Sequence, residues 1–274
     1  MDIFFRKKGK GPALIILHGL FGSSDNWLPI AKEMEKYFTV YLTDARNHGR
    51  SGHCHIHSYD AMADDIAELM EKEHVAEAHF MGHSMGGKTV FLFALRYPEK
   101  TKSCIIVDIA PVKTHKNDHY EEINNKLYSI LSILKSIPLQ QISKREEIHA
   151  HLSRAIKAPA LQQLFLKNIV RQANGRYIWK FNLDALFANL PIIIGDIVIP
   201  ENVRINEQTN MLFIKGVLSN YLQDEDIEYA RRFFPATHQV SVPNAGHWVH
   251  VDNPHVFLLS IKNFLLPYGT SPEK

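Results

Sequence analysis

Cysteine is scarce in this chain. Cys54 and Cys104 are the only two in 274 residues, which excludes a disulfide framework and fits a reducing, cytoplasmic setting. Long hydrophobic runs are missing as well. No apolar stretch reaches the ~18 residues that a membrane-spanning helix needs, so no membrane span is expected. The opening residues Met1-Asp2-Ile3-Phe4-Phe5-Arg6 lack the basic-then-apolar layout of a secretion signal. Nor is one sign of charge in excess: 31 Lys and Arg face 29 Asp and Glu. A nucleic-acid partner would need clustered positive charge. The short run Arg6-Lys7-Lys8 with Lys10 reads as a solvated hairpin instead. Internal repeats and low-complexity tracts are absent. With these classes set aside, a chain of this length that is 45% hydrophobic has the material for one large core.

What is present begins with Phe80-Met81-Gly82-His83-Ser84-Met85-Gly86-Gly87. Gly82, Ser84 and Gly86 form a G-x-S-x-G pattern. An apolar strand (78–81) precedes it, and a helical stretch (85–96) follows at once. Glycines two residues either side of a serine remove the Cβ atoms that would clash in a sharp strand-to-helix turn. The helix N-terminus then lies beside the serine oxygen, where negative charge develops in acyl transfer. Ser84 is therefore the candidate nucleophile.

Other stretches follow a strand–helix alternation. Residues 2–6 predict an opening strand. Ala13 to Leu17 is a continuous apolar run, as a strand buried on both faces requires. It ends in His18-Gly19-Leu20-Phe21-Gly22-Ser23, after which a helix over 27–37 is expected. Strands are predicted over 39–43 and 103–107, with a helical period over 58–74 between them. From 112 to 196 the strands stop. Helical periods over 120–137, 144–156, 160–172 and 183–194, punctuated by Pro111, Pro138, Pro159 and Asn174-Gly175, predict an inserted helical lid without strands. Strands over 210–215 and 238–242 and helices over 225–234 and 254–265 complete the pattern. The expected fold class is α/β: a mostly parallel sheet with helices on both faces. Its core comprises residues 1–111 and 197–274, and its lid residues 112–196. Polar groups collect at the carboxyl ends of strands, where such folds place their sites.

A serine hydroxyl is a weak nucleophile until a base takes its proton and a third group orients that base. His247 follows the last strand, in the expected serine–acid–histidine chain order, with His250 as runner-up. His83 is expected to pack structurally. The oxyanion needs two backbone donors, expected from the N–H groups of Leu20 and Met85. His53-Cys54-His55-Ile56-His57 has a metal-like look but no adjacent carboxylate, and reads as a surface loop. Arg46 is expected to anchor loops by a salt bridge, and Phe91, Phe93 and Tyr97 to lie in the core.

Taken together, His18-Gly19-Leu20-Phe21-Gly22-Ser23, the Asp44 to Ser51 loop, the serine motif through Lys88, Val107-Asp108-Ile109-Ala110-Pro111 and Gly246-His247-Trp248-Val249-His250 resemble the α/β-hydrolase family. Within it they resemble the YbfF-type bacterial esterases, which are related to the abhydrolase-domain-11 proteins of animals. Most members of the wider family carry an Asp in a G-x-x-D turn after the penultimate strand. Here that turn is Gly216-Val217-Leu218-Ser219, and Ser219 cannot carry the charge. The resemblance to the YbfF type implies Asp108 as the acid, with Ser219 hydrogen-bonded to the acid or the histidine. Asp224 and Asp226 remain outside candidates.

The resemblance implies a serine hydrolase acting on a small-molecule acyl ester or thioester through an acyl-enzyme. It implies no metal or organic cofactor and a chain acting as a monomer or homodimer. The same triad would serve carbon–carbon bond hydrolysis, perhydrolysis or peptide cleavage, and a catalytically silent receptor is a further alternative. Tyr120, Ile123, Leu127, Phe165 and Trp179 in the lid are candidates for lining an acyl pocket.

Overall fold

The computed structural model describes residues 1–112, 118–201, 203 and 205–266, with the backbone alone at 118–120. Its first half runs β1 (Phe5–Lys8), β2 (Ala13–Leu17), α1 (Leu28–Met34), β3 (Thr39–Thr43), α2 (Tyr59–Lys72), β4 (Ala78–His83), α3 (Met85–Arg96) and β5 (Thr101–Val107). Then come α4 (Asp118–Ser136), α5 (Arg145–Ala155), α6 (Pro159–Lys167), β6 (Ile169–Arg171), β7 (Tyr177–Trp179), α7 (Leu183–Ala188) and α8 (Leu190–Ile194). The chain closes with β8 (Asn210–Gly216), α9 (Asp224–Arg231), β9 (Thr237–Val242), α10 (Val249–Asp252) and α11 (Pro254–Leu265).

Seven strands form one sheet in the order β1-β3-β2-β4-β5-β8-β9. All neighbours are parallel except β1, which lies antiparallel to β3. The expected hairpin around Arg6-Lys7-Lys8 is therefore not formed: β1 skips β2, which is already paired on both edges. Successive side chains of a strand point to opposite faces. Ile15, Phe80 and Phe213 accordingly join α2, α3 and α9 in one core. Leu14, Ile16 and Met81 join Trp27, Met34, Phe257 and Ile261 in the other. Burying such side chains on both faces is what makes these strands continuous apolar runs.

The segment between β5 and β8 has its own apolar cluster, with Leu131, Leu134, Ile148, Leu152, Phe165 and Leu186 fully buried. The prediction of no strands here is corrected. Ile169–Arg171 and Tyr177–Trp179 pair antiparallel around Asn174-Gly175, with Gly175 at φ +82°. β-Branched and aromatic residues flanking an Asn-Gly turn favour a hairpin over the helical continuation expected through residue 172. The expected helix over 183–194 is two helices, separated at Asn189 ahead of Pro191.

Polar contacts hold this segment to the sheet's loops. Asn182 N–H donates to Asn47 O (2.8 Å), Asn168 Nδ2 to Phe21 O (2.8 Å) and Tyr59 Oη to Ile193 O (2.5 Å). Phe21, at φ 62°, inserts its ring between Phe165 (5.2 Å) and Phe181 (5.3 Å). Burying a ring of this size stabilises by roughly 1.5–3 kcal/mol. Among the described residues, no helix is long and apolar enough to cross a membrane.

Candidate active site

The turn between β4 and α3 is as tight as the glycine spacing demands. Ser84 sits at φ 53°, ψ −119°, a strained conformation for a residue with a Cβ. A Cβ on Gly82 would lie 2.2 Å from Gly86 O, and one on Gly86 would lie 2.6 Å from Leu17 O. The turn is held by Ser84 N–H donating to Val107 O (3.1 Å) and Lys88 N–H to Ser84 O (3.1 Å). α3 starts at the next residue, so its N-terminal N–H groups and dipole lie against the serine.

Asp108 follows β5, which is the neighbour of β4. It is fully buried and sits at φ 51°, its N–H donating to Ile214 O (2.8 Å) on the next strand, β8. A buried carboxylate is costly unless its oxygens are met by donors, and here they are. Oδ1 accepts from Gly216 N–H (2.9 Å). Oδ2 accepts from His247 Nδ1 (2.8 Å) and from Ser219 Oγ. A carboxylate only accepts, so the proton shared with His247 is assigned to Nδ1, which leaves Nε2 as the lone-pair nitrogen. Tyr221 stacks on the His247 ring at 3.7 Å and 18°, and His247 O accepts from His83 Nε2 (2.8 Å).

The structure thus brings Asp108, Ser219 and His247 together. It does not bring Asp224 or Asp226: the first pairs with Lys215 and Gln239, and the second accepts from Gln223 N–H. His250, the runner-up base, is buried and stacked on Trp27 at 4.2 Å. His83 packs against Gly19, where a Cβ would lie 2.8 Å from its Nδ1 and 3.2 Å from Ser84 Cβ. The absence of that Cβ lets the His18–Phe21 loop approach the serine. Among the described residues, no protein acceptor meets the N–H of Leu20 or of Met85, and both residues line the cavity that holds Ser84.

That loop is clamped by two histidines that sequence reading did not single out. His18 accepts from Ala45 N–H at Nε2 (3.0 Å) and donates from Nδ1 to Gly19 O (2.7 Å). His48 accepts from Phe21 N–H (3.3 Å) and donates to Arg46 O (3.0 Å). Burial pushes both down from the ordinary histidine value, which keeps one nitrogen of each ring an acceptor. Asp44 continues the clamp through Ser24 N–H (2.6 Å) and Arg50 N–H (2.9 Å). The signal available in sequence was slight: each histidine stands beside a glycine in a loop that follows a strand. Arg46 anchors its loop as expected, bidentate on Asp65 at 2.7 Å. The surface-loop reading of 53–57 is corrected at His57, which is fully buried with Nε2 3.3 Å from Met85 Sδ.

A cavity of about 300 Å³ opens at Ser84 and His247. Its walls are mainly apolar, with Ile123, Leu127 and Ile130 from α4, Leu161 and Leu164 from α6, and Ile193 from α8. Lys88 and Tyr59 close one side, Lys88 Nζ donating to Gly195 O (2.6 Å). Of the five residues expected to line an acyl pocket, Ile123 and Leu127 do. Phe165 is buried inside the inserted segment, and Trp179 stacks on Phe181 at 5.3 Å. The side chain of Tyr120 lies outside the described residues.

Comparison with known proteins decides the family. Residues 12–254 match the model described as alpha/beta hydrolase fold. The chain belongs to the α/β-hydrolase family. The hydrolase is 36% identical over 256 residues to sn-1-specific diacylglycerol lipase ABHD11 of Mus musculus, which covers 93% of this chain and 81% of the relative. It is 29% identical over 252 residues to Esterase YbfF of Escherichia coli, covering 92% of each. Among solved structures, a marine microorganism esterase superposes with a TM-score of 0.89 at 42% identity, covering 96% of this chain and 99% of that one. With such relatives, the hydrolase is an enzyme of the esterase/lipase type.

Proposed function

We propose that the hydrolase cleaves carboxylic esters or thioesters with short or medium acyl groups, using Ser84, His247 and Asp108 and no cofactor. The observation that carries this is the buried Asp108 carboxylate on His247 Nδ1 at 2.8 Å. It sets the tautomer that a general base needs. In the first step the Ser84 Oγ–carbon bond forms while His247 takes the hydroxyl proton. The bond to the leaving group then breaks, and the same proton passes to the departing oxygen or sulfur. Water, activated by His247, releases the acid. The N–H groups of Leu20 and Met85 hold the oxyanion in both steps, aided by the α3 dipole. Ser219 supports Asp108. Residues 112–196 act as a lid over a core of 1–111 and 197–274, and the apolar cavity takes the acyl chain.

The test is hydrolysis of p-nitrophenyl esters from acetyl to palmitoyl, together with covalent labelling by a fluorophosphonate probe. Wild type is expected to turn over short and medium esters and to take the label at Ser84. Ser84→Ala should lose the label and roughly 10⁵-fold in kcat. Turnover that survives Ser84→Ala would overturn the reading.

A further inference from the structure

His83 is the last residue of β4 and stands directly before Ser84. It is buried, 4% exposed, and its ring touches three parts of the site. Nδ1 lies 2.8 Å from where a Cβ on Gly19 would stand. The ring centre is 4.6 Å from that of His247 and 5.2 Å from that of His250. Nε2 meets His247 O at 2.8 Å. A carbonyl oxygen only accepts, so the proton is assigned to Nε2, and Nδ1 is the lone-pair nitrogen.

Two anchors then act on His247. Asp108 Oδ2 holds its side chain through Nδ1 (2.8 Å), and His83 holds its main chain through the carbonyl oxygen. Both anchors come from adjoining strand ends. β4 and β5 are parallel neighbours, with His83 opposite Val107, the residue before Asp108. The serine turn is tied to the same place, since Ser84 N–H donates to Val107 O (3.1 Å). His247 itself lies in the loop between β9 and α10. Other ties of that loop run elsewhere: Leu218 N–H donates to Ala245 O (2.9 Å), and Gly246 N–H to Asp252 Oδ2 (2.8 Å). Among the described residues, no other hydrogen bond joins this loop to the turn that carries Ser84.

A residue in this place has to donate from the tip of a flat ring and stay uncharged. When His247 takes the Ser84 proton it becomes a cation, and a second cation beside it would oppose that step. Burial, with the His247 and His250 rings close by, pushes His83 well below the ordinary histidine value, which keeps it neutral.

We propose that His83 is a positioning residue that sets the reach of His247 to Ser84. This rests on the serine-hydrolase reading above. Because residues 83 and 84 are consecutive, any movement of the serine turn carries the main chain of the base with it. His83 acts through His247 and exchanges no proton with the substrate.

The experiment measures kcat and KM for p-nitrophenyl butanoate over a pH series, with Tm as the check on folding. The proteins are wild type, Ser84→Ala, His83→Phe, His83→Gln and His83→Asn. Phenylalanine keeps a flat ring against Gly19 and His247 but removes the donor. Glutamine gives up the ring and places an amide N–H near the position of Nε2. Asparagine carries the same amide one carbon shorter and falls short of the carbonyl, so the two amides repeat the test without a ring. His83→Phe and His83→Asn are expected to lower kcat about 10- to 100-fold, as a small displacement of the base does, with KM nearly unchanged. His83→Gln should recover most of that loss. The acidic limb of the pH profile should keep its midpoint in every folded variant, since Asp108 still holds Nδ1. Wild-type kcat in His83→Phe, equal kcat in the two amide variants, or disappearance of the acidic limb overturns the proposal while turnover still depends on Ser84. Turnover that persists in Ser84→Ala instead removes the serine-hydrolase reading itself.

Discussion

Ser219 Oγ and His247 Nδ1 converge on one oxygen atom, Oδ2 of Asp108. Ser219 stands where the more common family pattern puts the acid. The structure keeps a hydrogen-bond contact at that position but reverses its direction: the hydroxyl donates to a carboxylate on the neighbouring strand end. Hydrogen bonds to charged groups contribute about 1.5–3 kcal/mol. Ser219→Ala is therefore expected to lower kcat by roughly tenfold to a hundredfold, with little change in KM. Steady-state kinetics on a p-nitrophenyl ester would show this, and an unchanged kcat would deny Ser219 any supporting role.

Asp108→Asn keeps the shape of the side chain but replaces one accepting oxygen with an amide that donates. His247 would then lose the partner that holds its proton on Nδ1. The expected loss is roughly 10³–10⁴-fold in kcat, as for a wrong-tautomer variant. Labelling by a fluorophosphonate probe should slow in parallel, while Tm reports whether the fold survives. Near-normal kinetics in a folded variant would move the acid elsewhere, with Asp224 the next residue to test.

Stability should fall on mild acidification. Burial holds His57 near about 3 and His79 and His250 near about 4, against an ordinary value of 6.5. As pH drops, the unfolded chain takes up these protons first, so the native state loses ground. The contribution is complete above about 6.5 and is lost as pH falls toward 4 and then 3. Calorimetry from pH 7 to pH 4 is expected to show a steady decline in Tm. His250→Phe, which keeps an aromatic ring on Trp27, should flatten the decline. An unchanged slope in that variant would argue against the assignment.

Leu127 reaches the apolar cavity from α4. A larger side chain there shortens the space for an acyl chain without touching the Asp108–His247 pair. Leu127→Trp is expected to shift the p-nitrophenyl ester profile toward acetyl and butyryl, with kcat/KM for the longest accepted chain down about tenfold. A profile that drops uniformly at every chain length would place the acyl chain elsewhere.

Much of this molecule could be read along the chain. Ala13–Leu17 and Thr39–Thr43 occur where their apolar runs predicted strands, because a strand buried on both faces has no polar side to interrupt it. α3 begins at Met85 and α11 at Pro254, as expected, since a Gly-flanked turn and an early proline are local starting signals. That Ser84 and His247 lie at strand ends and line one cavity follows from short motifs whose local geometry neighbouring residues enforce. The hairpin inside the inserted segment was missed because strands of three residues each carry almost no periodicity. The burial of His57 was missed because depth in a loop depends on what packs over it, here Asn47 and Met85.

The sequence by itself determined the layered sheet, the serine turn and the chemistry available at strand ends, since each follows from contiguous residues and their spacing. The resemblance pointed to Asp108, but only the tertiary structure brings that carboxylate onto His247. Several Asp residues follow strands, and the choice depends on β5 and β8 being neighbours, which brings Asp108 to Gly216, Ser219 and His247 across more than a hundred residues. The hydrogen bond from His83 to His247 O is likewise invisible along the chain, because 164 residues separate the two and they meet only when the loop after β9 settles over the end of β4.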